Sequence, residues 1–233
     1  MKAILLAAGK GTRLRPLTDT IPKCLIPING EPLLEIWLRL LKGYGVKEVL
    51  INMHCHASQV EEFLSKDDSE LRIKAVYEDK LLGSAGTVLA NKDFFAGEEA
   101  FFIIYADNLT DMDLTKMAQF HRSRNKEGLL TMGLHRTDNP GACGIAVLDD
   151  HGLITSFIEK PGNPESNLAN AGIYVAGQGV FDYIPSGKEI VDFGFDVFPA
   201  LVGRMYGYEI EEYLLDIGTP ENYKRAESEW RLL

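Results

Sequence analysis

Cysteine is scarce in this chain. Its three thiols, Cys24, Cys55 and Cys143, are odd in number and show no CxxC spacing, so neither a disulfide framework nor a zinc ribbon organises the fold. His54-Cys55-His56 mixes metal-ligating types, but on an extended segment the two imidazoles face one way and the thiol the other. With no fourth ligand nearby, it reads as a strand end leading into a helix. Long apolar runs are missing too. Nothing reaches the length of a membrane span, and Met1-Lys2-Ala3-Ile4 leads into the first strand without a signal-peptide pattern. Positive charge is in deficit, with a formal net charge of −10, which argues against nucleic acid and anionic membranes as partners. The acidic surplus at Glu61-Glu62, Asp67-Asp68 and Glu209 to Glu212 reads as solvated faces. Repeats, linkers and low-complexity segments are absent. What remains is a cytoplasmic globular protein, and 233 residues at 45% hydrophobic content can bury a proper core.

What is present concentrates near the start. Between Leu5 and Pro27 two glycines, two arginines, two lysines and three prolines follow an apolar run. The run Ala3 to Ala8 reads as a buried first strand, after which Gly9 and Gly11 let the backbone turn and bring its N–H groups close to a ligand. Arg13 and Arg15 come within reach of what the glycines hold, and Pro16 and Pro22 stiffen the path that returns Lys23 toward it. This is a loop built to wrap a polyphosphate. It is not a Walker A loop, since no Gly-Lys-Ser/Thr stands at the required spacing, and Leu14 occupies the place where a dinucleotide fingerprint needs its third glycine.

The rest of the first half alternates. Helical spacing is expected over Pro32 to Tyr44 and over Ser58 to Leu64, the latter capped by Ser58, with strands over Val46 to Met53, Leu71 to Tyr77 and Phe101 to Tyr105. The small residues of Leu82 to Val88, Gly83 and Ser84 among them, open a helix against whose backbone a flat ring could lie. Leu114 to Arg122 reads as a helix and Leu129 to Leu134 as a strand. From Cys143 the rhythm changes: short strands at Ile145 to Leu148, Ile154 to Ile158 and Ala171 to Val175 form a β-rich insertion. Ile190 to Met205 looks helical in its latter part and Tyr206 to Leu215 a strand, and Thr219 caps a last helix with Pro220 at its first position. Asp107 and Asp216 each follow an apolar strand, at the end where open α/β sheets collect ligands. Two carboxylates brought together there make a natural Mg2+ site, because magnesium takes hard oxygens and is completed by substrate phosphates.

From Leu6 to Thr18, and again at Pro22-Lys23, the segment resembles the N-terminal nucleotide-binding motif of the sugar-1-phosphate nucleotidyltransferases, or nucleoside-diphosphate-sugar pyrophosphorylases. Ala8 stands where many members have Gly. The resemblance extends to Tyr223. Asp107 in IIYADN and Asp216 in LLDIGTPENY resemble the family's metal-binding positions, Leu214 replacing a tryptophan. Glu159-Lys160-Pro161 and Asn170-Ala171-Gly172-Ile173-Tyr174 resemble its sugar-phosphate motifs, and Gly144 matches the glycine whose backbone faces the sugar. The run EDKLLGSAGT looks most like the mannose-1-phosphate guanylyltransferase branch.

The resemblance implies an α/β, Rossmann-like three-layer α/β/α fold with a central mixed, mostly parallel sheet and a β-rich sugar-binding insertion. It implies one domain over 1–233, with a nucleotide-binding half to about residue 135, a sugar-binding portion from about 136 and no C-terminal β-helix. The nucleotide would meet Leu6, Ala7, Ala8, Gly9, Gly11, Thr12, Arg13, Lys23, Glu78, Gly83 and Ser84. Gly144, Glu159, Lys160 and Asn170 would hold the sugar phosphate, Asp107 and Asp216 the Mg2+, and Arg13, Lys23 and Lys160 would be catalytic. Partners are a nucleoside triphosphate and a sugar 1-phosphate, with a homo-oligomer left open. Glu78 stands where uridine-using relatives often carry glutamine. An ionised carboxylate only accepts, which matches the two donors of guanine, so the expected pair is GTP with mannose or a manno-configured heptose. The rivals are uridylyl, thymidylyl or cytidylyl transfer on the same fold, a catalytically silent nucleotide-sugar-sensing subunit, and a dinucleotide-dependent oxidoreductase.

Overall fold

The apolar run that opens the chain becomes a strand with Ala3, Ile4 and Leu5 fully buried, as a parallel strand covered on both faces requires. A computed structural model describes residues 1–124 and 129–230. Its strands are β1 (Lys2–Leu6), β2 (Pro27–Ile28), β3 (Glu31–Pro32), β4 (Glu48–Met53), β5 (Arg72–Tyr77), β6 (Ala100–Tyr105), β7 (Asn108–Thr110), β8 (Leu130–Arg136), β9 (Gly144–Leu148), β10 (Ile154–Glu159), β11 (Leu168–Gly177), β12 (Met205–Glu209) and β13 (Leu214–Asp216). The α-helices are α1 (Leu33–Gly43), α2 (Ala57–Leu64), α3 (Ser84–Ala90), α4 (Leu114–Arg124), α5 (Phe198–Leu201) and α6 (Pro220–Glu229). Among the described residues no helix is long and apolar enough to cross a membrane.

Two compact units divide the chain, with a boundary inside β6. The loop unit comprises Lys2–Leu81, Ile104–Asp111 and Glu212–Leu233. In it β1, β4 and β5 pair in parallel, Leu6 opposite Asn52 and Asn52 opposite Val76. Helix α1 turns one stripe inward, burying Leu33, Leu34, Ile36, Trp37, Leu38 and Leu41. The indole of Trp37 donates to the carbonyl of Asn108 at 2.7 Å, so a core residue of α1 fixes the strand that follows Asp107. β7 pairs antiparallel with β13, Asn108 opposite Asp216.

The second unit comprises Met1, Leu82–Ile103 and Met112–Glu211. Here β12 pairs in parallel with β8, while β11 runs antiparallel to β8 and β9, and β10 antiparallel to β9. The β-rich insertion is therefore a set of antiparallel neighbours. Its core is aromatic: Tyr174, Phe193 and Phe198 lie with ring centroids 5.2 to 5.9 Å apart, inside the favourable range for ring pairs.

Three expectations need correcting. Ser58 does not cap α2; the helix begins at Ala57 after His56, which adopts a left-handed φ of 55°. The helix expected in the latter part of Ile190 to Met205 is only the short α5, entered through a π-helical turn over Phe193–Val197. It ends before Gly203, at φ 79°, and Met205 opens β12. The single strand expected from Tyr206 to Leu215 is two, β12 and β13, which belong to different units.

Candidate active site

In the loop unit the chain leaves β1 at Leu6, whose carbonyl accepts from Ala106 N at 3.2 Å. Gly9 follows, exposed, and a Cβ built on it would meet nothing within 4 Å. The protein itself makes no use of that space. Gly11 differs: its φ is 60°, and a Cβ there would stand 2.7 Å from the Thr18 methyl. Its carbonyl accepts from Leu14 N at 2.9 Å and from Thr18 Oγ1 at 2.8 Å, so only glycine closes this turn without strain. The turn Thr12–Leu14 carries Arg13 outward, while Arg15 pairs with Asp19 at 3.1 Å.

Lys23 returns to the loop as the sequence suggests, and it is only 8% exposed. Its Nζ lies 2.5 Å from Asp107 Oδ2 and 3.6 Å from Asp216 Oδ1, and Arg13 Nη2 lies 3.7 Å from Asp216 Oδ2. Strand register brings the aspartates together, and Ile217 N donates to the Asp107 carbonyl at 3.1 Å. Asn222 Nδ2 holds the Asp216 carbonyl at 2.7 Å, and Thr219 caps α6 by accepting from Asn222 N at 3.2 Å. A Cβ at Gly218 would stand 2.8 Å from Asp216 Oδ1, 2.9 Å from Arg13 Nη2 and 3.0 Å from Lys23 Nζ. That glycine is the floor on which all three charged groups meet.

Two carboxylates aimed at one ammonium can equally face a divalent cation. Their hard oxygens suit magnesium, and no group of three or more His, Cys, Asp or Glu forms a fuller ligand set among the described residues. The pair fits Mg2+ completed by phosphate oxygens and water.

Behind the loop, Ala7 N donates to Asn52 Oδ1 at 2.7 Å, and Asn52 Nδ2 donates to Glu78 Oε1 at 2.9 Å. Asn52 and Glu78 are 4% and 5% exposed. Glu78 is thus a buried carboxylate and not a solvated strand end.

In the second unit Glu159 ends β10 opposite Gly144 of β9. A Cβ at Gly144 would stand 2.5 Å from Glu159 Oε2, and one at Gly194 would stand 2.7 Å from the same oxygen. Asp192 closes the turn beside it, accepting from Gly194 N and from Ser84 Oγ, each at 2.8 Å, while Ser84 Oγ accepts from Phe193 N at 2.9 Å. Burial first, then the negative charge of Asp192, raises the Glu159 carboxyl above its usual range, against the pull of the Lys160 ammonium. Lys160 is exposed and has a φ of 51°, its N–H donating to Cys143 O at 2.9 Å. A bulky residue held in that left-handed conformation is strained, as site residues often are. Asn170 sits where the β11–β8 register shifts, and its Oδ1 accepts from Gly172 N at 3.0 Å. The close approach at Gly83 is to the chain itself: a Cβ there would lie 2.4 Å from Val191 O, which also accepts from Ala85 N and Gly86 N.

The expected residues therefore fall into two groups, each inside one unit: Arg13, Lys23, Asp107 and Asp216 in the first, and Gly144, Glu159 and Ser84 in the second. Sequence reasoning missed Asn52, Asp192, Gly194 and Gly218. A lone amide inside the apolar run of β4 was the available signal for Asn52, and Gly218 lay unremarked inside LLDIGTPENY.

A family model described as nucleotidyl transferase matches residues 2–231. The chain belongs to the nucleotidyl transferase family. The chain is 35% identical to the UTP–glucose-1-phosphate uridylyltransferase of Synechocystis over 97% of its length and 62% of the relative. It is 33% identical to the mannose-1-phosphate guanylyltransferase catalytic subunit beta of Drosophila pseudoobscura over 95% of its length and 60% of that protein. The chain thus spans about three fifths of the curated relatives it matches. A solved structure from Bacillus anthracis, described as a glucose-1-phosphate thymidylyltransferase with sucrose, superposes with a TM-score of 0.87 at 26% identity, covering 100% of this chain and 97% of that one. The chain accordingly has the Rossmann-like α/β fold, with a mixed sheet whose central strands are mostly parallel.

Proposed function

We propose that the chain transfers a nucleotidyl group from a nucleoside triphosphate to a sugar 1-phosphate, giving an NDP-sugar and pyrophosphate. One observation carries this reading: Arg13 and Lys23 converge on Asp107 and Asp216 at a glycine loop whose Gly9 leaves open space. That set of charges suits a polyphosphate and the metal that accompanies it.

In the proposed reaction an oxygen of the sugar phosphate bonds to the α-phosphorus. The bond from that phosphorus to the oxygen bridging it to the β-phosphorus breaks, and its electron pair leaves with pyrophosphate. A phosphate monoester has a second pKa of about 6, so the attacking oxygen is already largely ionised at neutral pH and needs no general base. Catalysis is then a matter of holding charge in place. The backbone from Leu6 through Ala7, Ala8, Gly9 and Gly11 to Thr12, with Arg13 and Lys23, holds the triphosphate and offsets the charge that moves onto pyrophosphate. Lys160 holds the attacking phosphate, while Glu159, Asn170 and the Gly144 backbone take the sugar hydroxyls. Asp107 and Asp216 would hold Mg2+, which when bound supplies positive charge to the phosphate oxygens.

For the base we favour GTP, read by Glu78, and for the sugar mannose or a manno-configured heptose. The relatives' names span uridylyl, guanylyl and thymidylyl transfer, so residue 78 and not family membership supports this choice. The deciding experiment is a pyrophosphate-release screen crossing four nucleoside triphosphates with a panel of sugar 1-phosphates. Release above background only with GTP and a manno-configured phosphate is expected, and no release with any pair would refute the proposal.

A further inference from the structure

We propose that Asn52 is a positioning residue that sets which hydrogen-bonding atom residue 78 turns toward the nucleotide base, and so takes part in base selection. This rests on the functional reading above. The geometry leaves the Asn52 amide one orientation. Ala7 N–H can only donate, so the atom facing it at 2.7 Å is the Asn52 oxygen, and the amide nitrogen faces Glu78 at 2.9 Å. Flipping the amide would set N–H against N–H and oxygen against carboxylate, inside a site where Asn52 is 4% exposed and unmade bonds are costly. The Glu78 backbone is pinned as well, its N–H donating to Met53 O at 2.8 Å and its carbonyl meeting His54 Nδ1 at 2.8 Å.

Chemistry at residue 78 follows. A carboxylate offers about four lone-pair sites, so Glu78 can accept from Asn52 and still present an acceptor to a base. Guanine's N1–H and exocyclic amine suit an acceptor, and a uracil carbonyl is repelled by it. In Glu78→Gln the donor from Asn52 claims the new amide's oxygen, which turns the amide nitrogen outward as a donor. In the double variant Asn52→Asp/Glu78→Gln the pair is reversed at unchanged total charge. The introduced aspartate would still accept from Ala7 N and would now accept from the glutamine nitrogen, which turns the glutamine oxygen outward again. Base preference should therefore swing one way with the first substitution and back with the second. A residue that merely filled the core would shift both nucleotides alike.

The test measures kcat/KM for GTP and UTP with mannose 1-phosphate in the native chain, Glu78→Gln, Asn52→Asp and the double variant, with thermal melts of all four. The expected result is a native preference for GTP, a GTP/UTP ratio lower by about tenfold or more in Glu78→Gln, and recovery of much of it in the double variant. Asn52→Asp alone should melt lowest, because it sets two carboxylates against each other, and adding Glu78→Gln should raise its Tm. A native preference for UTP, a ratio unmoved by Glu78→Gln, a double variant that tracks Glu78→Gln, or a double variant melting below Asn52→Asp would each overturn the inference. If the native chain turns over no pair of substrates, the functional reading fails by itself. Displacement of mant-GTP by GTP and UTP in the same four proteins then reads the inference, against the same expected and overturning ratios.

Discussion

Replacing Lys23 with methionine removes one charge from the loop cluster while keeping most of the side-chain volume. In the native chain the Lys23 ammonium is the cation that Asp107 and Asp216 share, at 2.5 and 3.6 Å, and its side chain is almost fully enclosed. Losing a charge-assisted hydrogen bond of this kind costs about 1.5–3 kcal/mol. For a chain of this size that lowers Tm by about 3–12 °C. A divalent cation bound by the same carboxylates must share them with Lys23. The Lys23 ammonium and a divalent cation about 4 Å apart repel by about 8 kcal/mol at an effective dielectric of about 20, and by about 2 kcal/mol at that of water. Asp107 and Asp216 are 33% and 45% exposed, so solvent screening reduces that to about 1–2 kcal/mol. Lys23→Met should therefore bind Mg2+ about tenfold more tightly than the native chain, even as turnover falls because the triphosphate has lost a partner. The assay is thermal unfolding across a magnesium chloride titration without nucleotide, with calorimetry for the affinity. Magnesium affinity equal to or weaker than native would falsify the idea that lysine and metal address the same carboxylates.

Asp107→Ala and Asp216→Ala should each abolish magnesium-dependent pyrophosphate release, and the double variant should be scarcely worse than either single, because residues that act as a unit are non-additive. Simple addition of the two losses in steady-state kinetics would show that they serve separate sites. Lys160→Ala should lower kcat tens to hundreds fold through a lost charge-assisted contact and leave the nucleotide Kd nearly native; an equal loss of both would move Lys160 to the triphosphate. His121 is buried, its Nδ1 lies 2.9 Å from Thr131 Oγ1, and its Nε2 finds no partner among the described residues. Burial first, then the charge of Arg122, lowers its pKa from 6.5 to about 4. Between those values the unfolded chain binds a proton that the folded chain refuses, so stability is complete above the unfolded pKa and declines as pH falls toward about 4, by up to about 3 kcal/mol. Urea midpoints across that range should fall more steeply for the native chain than for His121→Gln, and parallel slopes would exclude His121 as the cause.

The loop was legible because its information is local. Gly9, Gly11, Arg13 and Lys23 lie within fifteen residues, and the turn chemistry that gathers them is written in the same stretch. Asp107 and Asp216 were legible singly, as aspartates at strand ends, but their meeting depends on β7 pairing with β13, a long-range register that no local pattern encodes. Asp192 was invisible for a similar reason. Its meaning comes from Ser84, far away in sequence, and from the π-helical turn over Phe193–Val197 that begins right after it. Glu78 was named as a residue the base would meet, but its burial was not legible. A charged residue after an exposed edge strand suggests solvent, yet Asn52 draws it inside, and that partnership is set by the parallel pairing of β4 with β5.

If the proposed function holds, an acidic chain has to concentrate positive charge to bind a polyphosphate, and here that charge is matched by carboxylates in the absence of a ligand. Arg13 and Lys23 bring two positive charges to a cluster in which Asp107 and Asp216 bring two negative ones, so the cluster is formally neutral by itself. The two cations are held very differently. The Arg13 side chain is 64% exposed and its contact with Asp216 is 3.7 Å long, a surface pair of small net value. Lys23 is enclosed and tightly paired with Asp107, and removing that partner would strand a buried charge. On the proposed function, Arg13 can therefore exchange its carboxylate for phosphate oxygens at little cost, while Lys23 stays where the fold has put it. Lys23 then serves as a fixed reference charge and Arg13 as the group that follows the ligand, a division that follows from burial and not from the identity of either residue.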